Sequence, residues 1–163
     1  MAKDRLDSME TVEDLARPEH LLVWAMRAIA MGHEDCPILV RTFRHAGGRH
    51  GSQTLQAYAI FLKYLAASCK RRLQVHLPGC ICVGADEACV LDIITAAQQS
   101  IHGLDETGLR ATLCELTEAQ PSESLVLMAQ GVARLLDAGG VALPDRSPDA
   151  GSSRDGASAH LLN

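Results

Sequence analysis

From about 53 to 72 the chain returns an apolar residue every three or four positions: Leu55, Tyr58, Ala59, Leu62, Leu65, Ala66 and Cys69. Each residue advances about 100° around an α-helix, so this spacing draws one continuous stripe down a helix. A strand would need alternation at every second residue, and no stretch of useful length shows it. One long helix with a single apolar face cannot stand alone. It must lay that face on other helices.

The rest of the chain supplies them. Pro18 suits a first helical turn, Leu21, Leu22, Ala25, Ala28 and Ile29 follow at helical spacing, and Gly32 is a stop signal. Asp35 is the expected N-cap of a second helix, with Pro37 in its first turn and Cys36, Leu39, Val40 and Phe43 on one face. A fourth helix is predicted from Gly84 or Ala85, where Asp86 and Glu87 suit the positive end of the helix dipole. Its core positions are Val90, Leu91, Ile94, Ala97 and Ile101. Shorter patterns over 106–118 (Leu109, Leu113, Leu116) and from Pro121 onward (Leu125, Met128, Val132, Leu135, Leu136) complete the set. With aromatics at only 3%, the core falls to Leu, Ala, Ile, Val and Met, a helix-favouring palette. The prediction is an all-α bundle of five or six helices in one domain over 18–138. A flexible N-terminal segment over 1–17 and a disordered tail over 139–163, rich in Pro, Asp, Gly and Ser, flank it.

The N-terminus is charged, and no apolar run approaches about eighteen residues, so the expectation is a soluble cytoplasmic protein that does not enter a membrane. In a reducing compartment its six cysteines are thiols or metal ligands rather than disulfides.

Charge is distributed unevenly. The net charge is −5, yet no Asp or Glu lies between Asp35 and Asp86, where Arg41, Arg44, Arg49, Lys63, Lys70, Arg71 and Arg72 all fall. Either the basic stretch packs beside acidic helices, or Arg41, Arg44, Arg49, Lys70, Arg71 and Arg72 meet an anionic partner. The first helix is apolar around much of its circumference, so Trp24 and Met26 belong to the core or to a protein-protein surface, a homodimer included.

Ligand chemistry concentrates in one place. His76, Cys80, Cys82 and Cys89 lie close together, with Pro78-Gly79 turning the chain and Asp86 and Glu87 nearby. Imidazole and thiolate are the donors zinc prefers, and four suffice for a tetrahedral site. Asp86 or Glu87 offers a substitute, and Cys36, Cys69 or Cys114 a donor from another helix. A single C-x-C is not a standard zinc spacing, however, and two other readings stand beside the metal. The cysteines fill the core as small apolar residues. Alternatively Cys82, just before a helix N-terminus and within reach of Lys70, Arg71 and Arg72, is a redox-responsive thiol.

The string His76-x-Pro78-Gly79-Cys80-x-Cys82-x-Gly84-x-Asp86-Glu87 resembles one in a group of small uncharacterised bacterial helical proteins. The resemblance covers roughly 73–97. It implies a bacterial source and an all-helical fold, and carries no assigned activity.

Other candidates are weaker. Gly47-Gly48-Arg49-His50-Gly51 reads as a loop, either a phosphate cradle ahead of the third helix or a plain linker. His33 beside Glu34, Asp35 and Cys36 reads as an N-cap region. A helix-turn-helix pairing of 35–46 with the third helix needs a loop of about six residues, longer than the usual three or four. No Ser-His-Asp, HExxH, P-loop or GxGxxG pattern is present. The sequence therefore points to a non-enzymatic binding or regulatory module. Its site is a metal or thiol-redox centre at 76–89, with a protein-interaction module or a nucleic-acid binder as alternatives.

Overall fold

A computed structural model of the protein describes residues 10–103 and 105–146. It contains six α-helices: α1 (Arg17–Ala30), α2 (Pro37–Gly47), α3 (Gly51–Ser68), α4 (Ala85–Ile101), α5 (Thr107–Thr117) and α6 (Glu123–Ala138). Among the described residues the sole β feature is one isolated antiparallel bridge between Thr11 and Cys82. The bundle is thus all-α, as the periodicity requires. No helix among these residues is long and apolar enough to cross a membrane.

The core is built by the stripes. α6 packs on both α3 and α4, α2 lies on α3, α5 on α4, and α1 crosses α3 and α4. Tyr58, Phe43, Phe61, Leu22, Leu39, Leu65, Leu91, Ile93, Ile94, Leu109, Leu113 and Leu125 are fully enclosed. The Tyr58 hydroxyl, buried among them, donates to the Leu22 carbonyl oxygen at 3.3 Å, so its polar end is not orphaned.

Three boundaries differ from the sequence reading. The glycine-rich stretch is not a loop. α2 runs to Gly47, a 3-10 turn covers Gly48–His50, and α3 begins at Gly51. The turn is tight because a Cβ on Gly51 would lie 2.1 Å from the Phe43 carbonyl oxygen. Second, the N-cap of α2 is Cys36 rather than Asp35. Third, α3 stops at Ser68, so Lys70, Arg71 and Arg72 are not helical. Tertiary bonds win there: the Lys70 N–H donates to the Thr117 carbonyl, and Arg71 turns to Asp86 with its Nη1 and Nη2 at 2.7 and 2.6 Å.

The flanks are also partly built into the fold. Val12 donates to the Ile81 carbonyl at 2.8 Å, and Val83 to the Glu10 carbonyl at 2.9 Å. The start of the predicted tail packs rather than trails away. Val141 is buried, Gln98 Nε2 donates to its carbonyl, and the Leu143 N–H donates to Gln98 Oε1. Arg146 then joins three carboxylates, Glu10, Glu19 and Asp92, at 2.8, 2.5 and 2.7 Å. The remainder of the predicted tail, 147–163, and the first nine residues of the N-terminal segment predicted over 1–17 lie outside the described residues.

Candidate functional site

The segment 69–84 crosses between α3 and α4 without regular structure, and its backbone polar groups need partners from elsewhere. Arg27 supplies them. Its Nη1 donates to the Cys80 carbonyl at 2.6 Å and its Nη2 to the Cys82 carbonyl at 2.7 Å. The same guanidinium grips Glu87 at two points, Nε to Oε1 at 2.8 Å and Nη2 to Oε2 at 2.9 Å. Glu87 also accepts from the Gly84 N–H at 2.9 Å and the His76 N–H at 3.1 Å. Burial pushes the Glu87 carboxyl up, but Arg27 and these two amides outweigh it and hold the group below the ordinary glutamate value.

His76 completes this knot. Its Nδ1 lies 3.1 Å from the Cys82 carbonyl oxygen and 3.3 Å from Glu87 Oε2. Both neighbours are acceptors, which assigns the ring proton to Nδ1. The ring lies close enough to Gly84 that a Cβ there would sit 3.2 Å from His76 Cε1.

The expected metal ligands are therefore placed as follows. His76 and Cys82 come together, but through the Cys82 backbone rather than its thiol. Cys80 follows the Pro78-Gly79 turn, where Gly79 has φ 89° and the Cys80 N–H donates to the Leu77 carbonyl. Cys89 lies inside α4 among Glu115, Asp92 and Asp86. Burial first, and those carboxylates second, push its thiol up to about 12. Among the described residues no group of three or more His, Cys, Asp or Glu side chains is arranged to hold a metal ion. All six cysteines are free.

The cation bonded to the cysteine loop is Arg27; of Lys70, Arg71 and Arg72, which the sequence suggested, Arg71 turns to Asp86. Arg27 went unread, although a signal existed. It is the one charge within Leu21–Leu22–Val23–Trp24–Ala25–Met26–Arg27–Ala28–Ile29, and a lone cation in such a helix calls for a buried acid.

A second feature was invisible in the sequence. Where α3 ends early, a cleft of about 530 Å³ opens between α1, the end of α3, the 69–75 segment and the start of α4. Met26, Ile29, Leu62 and Val90 form its buried apolar floor, and Leu73 and Val75 wall it. Lys63, Lys70, Arg71 and Arg72 stand at its exposed edge, and the buried carboxylate of Asp86 also lines it. Arg71 and the Gln74 N–H both bond to Asp86 and hold its carboxyl below the usual aspartate value, the Arg71 bond contributing most. Lys63 pairs with Glu34. Lys70 and Arg72 make no ion pair among the described residues.

The other basic residues lie apart from this edge. Arg41 and Arg44 are exposed on α2, and Arg49, in the 3-10 turn, donates to His50 Nε2 at 3.1 Å. Among the described residues no histidine ring bonds to a hydroxyl or a thiol. In comparisons with known proteins, the chain matches no family model, no curated protein and no solved structure, so its reading rests on its own geometry.

Proposed function

We propose that this protein is a non-enzymatic helical binding module. Its ligand-contacting feature is the cleft beside α3, and the cysteine loop is a structural brace rather than a reaction centre. One observation carries the reading: an apolar floor of Met26, Ile29, Leu62 and Val90 lies beneath a mouth that carries Lys70 and Arg72, which have no ion-pair partner among the described residues. A concave, mostly apolar hollow with a few polar groups at its edge is the usual form of a small-ligand site. The brace supports it from behind. Arg27 neighbours Met26 on α1, and Glu87 neighbours Asp86 on α4, so the pair that ties the loop also fixes two walls of the cleft. The anionic partner expected from the basic stretch narrows, in this reading, to whatever meets Lys70 and Arg72.

The test uses a neutral apolar dye, so that the cleft is probed without its charge. Nile red should show a saturable rise in fluorescence with the full chain. Ala66→Trp, which fills the cleft from its exposed edge, should remove that rise while leaving the thermal midpoint within a few degrees. No saturable rise, or a rise indifferent to Ala66→Trp, would dispose of the reading.

A further inference from the structure

We infer that the cleft takes a single-chain amphiphile with an anionic head, of the long-chain carboxylate class. This rests on the binding-module reading and adds the chemistry of the ligand to it.

The floor decides the tail. Met26, Ile29, Leu62 and Val90 are each less than a tenth exposed and offer no hydrogen-bonding atom to a guest. A sugar or a nucleotide base placed there would lose its water and gain nothing in return. A hydrocarbon chain loses nothing. The hollow, at about 530 Å³, has the size of small-molecule sites. An α-helix about 10 Å across would not enter it, so an amphipathic peptide is a poorer fit than one acyl chain.

The mouth decides the head. Among the described residues four cations and one carboxylate border the cleft. Asp86 is already bonded by Arg71 and the Gln74 N–H, and Lys63 by Glu34. What remains is Lys70 and Arg72, both exposed and one residue either side of Arg71. The acids that reach this region, Glu34, Asp86 and Glu118, are engaged by Lys63 or Arg71, with Glu118 Oε1 3.5 Å from Arg71 Nε. A carboxylate held there stays in contact with water and incurs no buried-charge penalty, while it screens two cations that otherwise repel. The end of α3 at Ser68 creates the geometry. Had the helix run on to 72, these cations would have continued its surface instead of edging a hollow.

Calorimetry on the full chain, below the micelle concentration of each ligand, separates the parts. Dodecanoate should bind one to one, with affinity rising about fourfold per methylene from octanoate to dodecanoate, as burial of each methylene implies. The double variant Lys70→Gln, Arg72→Gln should weaken dodecanoate at least tenfold and leave dodecanol unchanged. Dodecyltrimethylammonium, the same tail with a cationic head, should bind more weakly than either. Equal binding of the carboxylate and the ammonium, or indifference of dodecanoate to the double variant, would overturn the anionic head while Nile red binding kept the module reading intact. An acidic helical peptide that displaces Nile red where dodecanoate does not would overturn the acyl class. If neither dodecanoate nor Nile red binds, both readings fall together.

Discussion

Arg27 on α1 and Glu87 on α4, sixty residues apart, meet through two charge-assisted hydrogen bonds with both side chains closed to solvent. The pair is more than a tie between two helices. Its spare donors satisfy the carbonyls of Cys80 and Cys82, and its spare acceptors take the N–H groups of His76 and Gly84. A segment with no helix or strand of its own is thereby given the partners that regular structure would have supplied.

Breaking one member should be expensive. Glu87→Gln keeps the shape but leaves the Arg27 charge without a counterion in a closed site, and we expect a loss of roughly 3–5 kcal/mol. The double variant Arg27→Met, Glu87→Leu should lose less than the sum of Arg27→Met alone and Glu87→Leu alone. Urea unfolding of the four species, read as a double-mutant cycle, measures the difference.

Acid should reach the same pair. The Glu87 carboxyl lies below its ordinary value in the folded protein, with an unfolded value of about 4.3, so its contribution is complete above that pH. As the pH drops, the unfolded chain takes up the proton first, and stability falls on the way down through the folded value. Asp86, lowered by Arg71, acts in the same direction. The free energy of unfolding, measured from pH 7 to pH 3, should decline below about pH 5. The decline should be shallower in the Arg27→Met, Glu87→Leu variant. Equal slopes would show that the pair is not a source of acid sensitivity.

Arg146 offers a contrasting case. Removing it as Arg146→Met leaves Glu10, Glu19 and Asp92 facing one another, with an expected loss of about 2 kcal/mol at pH 7. Burial already pushes the Asp92 carboxyl up, and Arg146 opposes that shift. Without the arginine the carboxyl rises further. A raised acid loses stability as pH climbs through its folded value, so the variant should recover part of its deficit between pH 7 and pH 5. Unfolding midpoints at the two pH values check it.

Two glycines should respond with opposite signs to the same change. Gly51→Ala would drive a methyl to 2.1 Å from the Phe43 carbonyl oxygen, part of the backbone. Neither side can yield cheaply, and a loss of about 2–3 kcal/mol is expected. Gly108, in the first turn of α5, has nothing within 4 Å of the added carbon. Gly108→Ala should gain about 0.5 kcal/mol by restricting the unfolded chain. Thermal melts of the pair decide it.

Cysteine chemistry should follow burial rather than sequence proximity. With its thiol pushed up to about 12, Cys89 remains protonated at pH 8 and should alkylate far more slowly than in the unfolded chain. Peptide-resolved iodoacetamide labelling of native and urea-unfolded protein reads the ratio. A native rate equal to the unfolded one would contradict the burial of this thiol.

The helices were readable because periodicity is a local property. The stripe through Leu55, Tyr58, Leu62 and Leu65 specifies a buried face whatever it packs against, and the same holds for Val90, Leu91 and Ile94. The residues of the cysteine loop were readable as a cluster, but their convergence was not, since the direction of each side chain depends on which groups satisfy the backbone. Arg27 settled that from a helix more than fifty residues away. The end of α3 was misread for a related reason. Lys70, Arg71 and Arg72 suit a helix C-terminus by the dipole rule, yet Asp86 and the Thr117 carbonyl draw 70 and 71 out of it.

The sequence by itself determined an all-helical chain, the faces its helices bury and the uneven placement of its charges, because each follows from residue spacing along one element. Only the tertiary structure decided that Arg27 and Glu87 are partners, that 139–146 returns to the core, and that a cationic mouth opens over an apolar floor. Those outcomes depend on distances between residues far apart in the chain, and such distances are fixed by packing rather than by any local preference.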